Sequence, residues 1–199
     1  MLFRSNPKGK FKHPKSGVEQ HMCFTGGEPL LKEAQECVIN VLNYFESIDN
    51  APDHITFETN GTQPLDLKFS KFMKLWYGEN LMFSVSPKLF TTSGEQAKRA
   101  IKPEVVADYF RLSENGQLKF VVNGSKQTWD ELDRVVDQFR NAGVYYPVFI
   151  MPVGATEEGQ AGALPNYISS GMIAEEAYKR GFNVTARIHV NLWGNTIGV

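Results

Sequence analysis

Runs of six to eight residues rich in apolar side chains alternate along this chain with longer segments whose apolar residues recur at helical spacing. That alternation is the pattern of successive βα units and a mainly parallel sheet. Strands are expected at residues 20–26, 54–60, 80–86, 117–122, 147–153 and 183–190. Helices are expected at 28–48, 128–143 and 166–180, the second opening at a Thr128 cap with Glu131 three residues on and closing at Gly143. Residues 63–79 and 91–113 read as mixed helix and loop, and 153–165 as one glycine-rich loop. Such a chain folds either as part of a (β/α) barrel or as an open doubly wound sheet, and both place ligand-binding groups at the C-terminal strand ends.

The chain's 199 residues, 42% of them hydrophobic, suffice for one globular domain spanning 1–199. A formal charge of −1 argues against broad attraction to nucleic acid or to an anionic membrane, and points to a small-molecule partner. The basic opening has no apolar core of a leader peptide, and no later run approaches the roughly 18 residues needed to cross a bilayer. A cytoplasmic location is expected. The two cysteines, Cys23 and Cys37, match no zinc or iron–sulfur spacing and read as small core side chains.

Polar and glycine residues collect just after the strands. The first ends in Thr25-Gly26-Gly27-Glu28, where two missing side chains let backbone groups approach a ligand and Glu28-Pro29 suits the opening of a helix. The second ends in Glu58-Thr59-Asn60-Gly61, which serves equally as a tight turn or as a set of ligand acceptors and amides. The third ends in Ser86-Pro87-Lys88, a hydroxyl, a rigid φ and a cation able to meet a carboxylate or a ribose. Asn123-Gly124 and Pro152-Val153-Gly154 close the next two, and the last strand runs through Arg187 and His189. Taken singly, each string is ordinary turn chemistry. No Ser-His-Asp set or evident acid/base pair accompanies them.

The order of the strings CFTGGEPLL, FETNGT and FSVSPKL, followed by the terminal VTARIHVNLWGNTIGV, resembles the radical S-adenosylmethionine superfamily and, within it, the 7-carboxy-7-deazaguanine synthase family of queuosine biosynthesis. The resemblance covers nearly everything after about residue 20. It implies a partial (β/α) barrel of about six parallel strands. It also implies conversion of 6-carboxy-5,6,7,8-tetrahydropterin to 7-carboxy-7-deazaguanine with loss of ammonia, using S-adenosylmethionine, a 4Fe-4S cluster and magnesium. In this family a CxxxCxxC motif precedes the Gly-Gly-Glu strand. No such string occurs in this sequence, so the expectation is a chain truncated before that motif, inactive alone and without ligands of its own for cluster or magnesium.

Carried over by position, the resemblance assigns Gly26, Gly27, Glu28, Glu58, Asn60, Ser86, Pro87 and Lys88 to S-adenosylmethionine, and Thr25 with the terminal carboxylate of Val199 to the pterin. It further implies a homodimer and an electron donor such as flavodoxin. His189 and Trp193 read as core residues or as cavity lining. Two other readings compete: another radical S-adenosylmethionine enzyme of the activase type, and a non-catalytic nucleotide- or pterin-binding remnant.

Overall fold

A computed structural model describes residues 11–13, 15–154, 168–187 and 192. Six strands form one sheet: β1 (His21–Phe24), β2 (His54–Thr59), β3 (Leu81–Val85), β4 (Gly116–Val122), β5 (Val148–Pro152) and β6 (Asn183–Val184). Every neighbouring pair is parallel, and spatial order equals chain order. Right-handed crossovers that always advance in one direction leave their helices on a single face. The sheet is therefore wound as an unclosed barrel, which settles the choice against a doubly wound sheet, whose strand order would have to reverse.

Seven α-helices are described, α1 (Lys32–Ser47), α2 (Leu67–Trp76), α3 (Phe90–Ser93), α4 (Ala97–Ala100), α5 (Pro103–Leu112), α6 (Lys126–Asn141) and α7 (Ser170–Lys179), with a 3-10 turn at Gly78–Asn80. Strands β2 to β5 bury alternate residues beneath them. Ile55 and Phe57, Leu81, Phe83 and Val85, Leu118, Phe120 and Val122 are all fully buried on the helical side. Phe69, Val106, Leu132 and Phe139 close the same core from the helices. The intervening residues, among them Cys23, Thr56, Glu58, Ser84 and Lys119, face the opposite, concave side.

The first five expected strands are found to within one or two residues, but the last, expected over 183–190, is strand only at Asn183–Val184: residues 185–187, Arg187 among them, are not strand, and 188–190 lie outside the described part. The helix expected from residue 28 starts at Lys32, because Leu31 has extended backbone and Glu28 is engaged with the next strand. The cap expected at Thr128 is instead Ser125, whose hydroxyl accepts from the Thr128 amide at 3.3 Å. Thr128 turns its own hydroxyl to Asn123 Oδ1 at 2.6 Å. Residues 63–79 and 91–113 resolve into α2, α3, α4 and α5.

Neither cysteine is a core residue as expected. Cys37 is exposed on α1, and Cys23 is half-buried on the concave face. β1 is the sheet's edge, paired on one side only. Ahead of it Lys12 and Glu19 bridge in antiparallel fashion, and Phe11 packs edge-on against Phe45 at 5.3 Å.

Candidate functional site

The site grows out of the joins between β1, β2 and β3 and the loops that follow them. Gly26 and Gly27 have φ of +88° and +58°, and a Cβ built on either would meet no atom within 4 Å. These glycines turn the chain and expose its backbone beside open space, without being squeezed by the fold itself. Gly61 is different in kind. With φ of +78° it abuts the β3 core, and a Cβ there would stand 2.6 Å from Val85 Cγ1.

Glu28 joins the first loop to the end of β2. Its Oε1 accepts from the Thr59 hydroxyl at 2.7 Å and from the Leu30 amide at 3.1 Å, and its Oε2 accepts from the Asn60 amide at 2.8 Å. The Thr59 hydroxyl also accepts from the Gly61 amide at 3.1 Å, so one carboxylate and one hydroxyl set the backbone of the whole Glu-Thr-Asn-Gly turn. Gln35, buried on α1, ties the same two loops from behind: its amide nitrogen donates to Leu30 O and Pro64 O, and its oxygen accepts from the Asp66 amide.

Glu58 lies on the concave side, where its Oε2 accepts from the Thr25 hydroxyl at 2.9 Å. The Asn60 side-chain oxygen accepts from both the amide and the hydroxyl of Thr62. The amide of Ser86 donates to Thr59 O at 2.7 Å, which brings the Ser-Pro-Lys string alongside the second loop. Pro87 is buried, while Ser86 and Lys88 are half-exposed, and Lys88 makes no ion pair among the described residues. Thr25, Glu28, Glu58, Asn60 and Ser86 are thus linked directly or through Thr59 at one end of the sheet. Val199, His189 and Trp193 lie outside the described residues.

Several residues that the sequence reading did not single out belong to this neighbourhood. Lys119, next but one to Gln117 on β4, reaches back across β3 until its Nζ stands 3.7 Å from Glu58 Oε1. Ser84 lies between them, in register with Glu58 on one side and Gln117 on the other, and accepts from Gln117 Nε2 at 2.8 Å. Cys23 sits close by on β1. Burial pushes its thiol up, the Glu58 carboxylate adds to the rise, and the Lys119 ammonium partly offsets it. Period-two alternation within 117–122 was the available signal for Lys119, since Leu118 and Phe120 on the core side force its side chain onto the other face.

Glu131 does not complete a capping box with Thr128. Nearly buried on α6, it accepts instead from the backbone amides of Phe90 and Thr91, at 2.7 and 2.9 Å, and so caps the helix that follows Lys88. Thr92 adds a hydroxyl bond to Val121 O at 3.2 Å. The Ser-Pro-Lys string is consequently held at both ends.

On the outer side, a cleft of about 700 Å³ separates α1 from the edge strand, lined by Phe24, Pro29, Val38, Val41 and Tyr44 among others. Its lining is mostly apolar, and Thr25, Gly26 and Glu28 of the strand-end site border it as well. Among the described residues no group of histidine, cysteine, aspartate or glutamate side chains could hold a metal ion. None of their helices is long and apolar enough to cross a membrane.

No protein-family profile matches the chain. It is similar to the 7-carboxy-7-deazaguanine synthase of Pyrobaculum aerophilum, 28% identical over 187 residues that cover 91% of this chain and 68% of that protein. It is likewise similar to the 7-carboxy-7-deazaguanine synthase of Halobacterium salinarum, 29% identical over 199 residues that cover 88% of this chain and 65% of that protein. The chain thus spans about two thirds of the length of these relatives. No solved structure matches it.

Proposed function

We propose that this chain, similar over about nine tenths of its length to two 7-carboxy-7-deazaguanine synthases, belongs to that family, and that the joined ends of β1, β2 and β3 form the S-adenosylmethionine and pterin site of such an enzyme, which makes 7-carboxy-7-deazaguanine from 6-carboxy-5,6,7,8-tetrahydropterin. The observation that carries this reading is the convergence of three strings, spread over more than sixty residues, at one end of one sheet. Turn formers alone have no need to gather in this way; a ligand site requires it.

S-adenosylmethionine suits the residues present. The Gly26-Gly27 turn leaves room that any side chain would occupy, and its backbone is free to meet an amino group. Ser86 and Lys88 supply a hydroxyl and a cation at the third strand end, while Glu58 and Asn60 line the space between, and Thr25 lies on the pterin side. Glu28, with both oxygens engaged by the next loop, acts as the brace that keeps these groups in register. In chemistry of this class S-adenosylmethionine, reduced by an iron–sulfur cluster, supplies the hydrogen-abstracting radical, and the protein contributes geometry and exclusion of water. The described residues do not fit a cluster or a magnesium ion, and no step is assigned through either.

Equilibrium dialysis with labelled S-adenosylmethionine and fluorescence titration with pterin-6-carboxylate test the reading on the purified chain. Both ligands are expected to bind, and Lys88→Ala is expected to weaken S-adenosylmethionine by more than the roughly 1 kcal/mol of an exposed charge. A folded chain that takes up neither ligand overturns the proposal.

A further inference from the structure

We propose that the outer face of α2 is a docking surface for an acidic protein partner. The proposal is independent of the functional reading above and concerns residues that take no part in the strand-end site.

α2 is anchored in the core by Phe69 and Met73, both fully buried. Its other large apolar residues turn outward. Leu67 and Leu75 are 68% and 79% exposed, and Trp76, 55% exposed, rests against Phe72 with ring centroids 6.2 Å apart. Single exposed apolar residues are ordinary on any surface. Two leucines and a tryptophan laid bare on one short helix make a patch, which a partner can cover with a gain in free energy.

Three lysines surround and divide this patch. Leu67, Lys71 and Leu75 fall at i, i+4 and i+8 and so form one line along the helix, flanked by Lys68 and Lys74. No acidic residue lies within α2. Lys68 has a weak ion pair to Glu36, at 4.0 Å with both side chains 70% exposed, and Lys71 and Lys74 have none among the described residues. In a chain whose formal charge is −1, this is a local concentration of uncompensated positive charge. A surface that carries carboxylates around a small apolar centre complements it in both sign and polarity.

The same arrangement disfavours a lipid surface as the occupant. A helix that lies in a membrane interface keeps its apolar residues on one side and its charges on the other. α2 commits its continuous apolar side to the core, and Lys71 stands between the two outward leucines, so immersing them would take its ammonium along. Ten residues make a helix of roughly 15 Å. That length suits a small, salt-sensitive encounter with another protein.

Fluorescence anisotropy with two labelled helical peptides tests the surface on the purified chain. Both peptides carry leucines at i and i+4 spacing, with glutamates at the other outward positions of one and lysines at those of the second. The acidic peptide is expected to bind at least roughly tenfold more tightly than the basic one at low ionic strength, and to lose that advantage as salt rises. Lys68→Glu, Lys71→Glu and Lys74→Glu combined should invert the preference. Leu75→Ser should weaken the acidic peptide without changing its salt dependence, and Lys126→Ala, at an exposed lysine of α6, should change nothing. Should the triple variant fail to fold, Lys71→Ala and Leu75→Ser carry the test. Equal binding of the two peptides, binding of neither, or a preference that survives the charge reversal would overturn the proposal. So would co-sedimentation with vesicles of phosphatidylglycerol and phosphatidylcholine that the reversal abolishes, or a dimer in sedimentation velocity that Leu75→Ser dissolves, because the face would then serve a lipid surface or a second copy.

Discussion

The Glu28 carboxylate accepts the hydroxyl proton of Thr59 at 2.7 Å, joining residues 31 positions apart across the seam between β1 and β2. Thr59 is buried, and the Asn60 amide leans on the same carboxylate at 2.8 Å. Glu28→Ala should therefore strand one hydroxyl and two amides, those of Leu30 and Asn60, and destabilise the fold by about 1–3 kcal/mol in urea unfolding. Glu28→Gln, which keeps one acceptor oxygen, should lose less. Hydrogen exchange at the Asn60 amide is expected to quicken in the alanine variant and reports the loosened turn directly.

Glu131 offers the corresponding prediction for the third loop. Removing its carboxylate leaves the Phe90 and Thr91 amides of a one-turn helix without acceptors, at a cost of about 2–3 kcal/mol. Glu131→Ala should accelerate exchange at those two amides and, through the neighbouring Lys88, weaken S-adenosylmethionine binding. Unchanged exchange at Phe90 and Thr91 would show that the cap is not what orders this segment.

The glycines divide into two kinds that alanine substitution distinguishes. Gly61→Ala drives a methyl into Val85 on a backbone that side chains avoid, and should cost about 2–4 kcal/mol. Gly27→Ala meets no neighbour and should cost only the roughly 1–2 kcal/mol of its left-handed backbone, while its methyl intrudes on the ligand's space. Denaturant unfolding combined with ligand titration should show the first variant failing in stability and the second chiefly in binding.

Cys23 provides a chemical probe of the concave face. Because burial and Glu58 raise its thiol, less thiolate is present near neutral pH, and alkylation by iodoacetamide should be slow and keep accelerating above the ordinary thiol range. Lys119→Met removes the one nearby cation that offsets the rise and should slow the reaction further. Glu58→Gln removes a negative charge and should speed it. Rates indifferent to both substitutions would place these charges farther from the thiol than the structure does.

What the sequence determined by itself was what depends on neighbours along the chain. Alternation of apolar runs with helical spacing was enough for six parallel strands and for α1, α6 and α7, though not for α2 to α5, because burial on one face imposes a period of two or of 3.6 on whatever sequence satisfies it. The strings after the first three strands were legible for a related reason, since strand ends are where such a fold presents loops.

The tertiary structure decided which groups meet. Glu131 is spaced from Thr128 as a capping box requires, yet its carboxylate crosses to Phe90 and Thr91, 41 and 40 positions back along the chain. Lys119, an unremarkable lysine in an apolar run, becomes the cation opposite Glu58 only because the sheet sets β2 and β4 on either side of β3. A carboxylate or an ammonium takes the partner that the packing of distant elements brings within hydrogen-bond or Coulomb range, and that distance is not a property of any local stretch of chain.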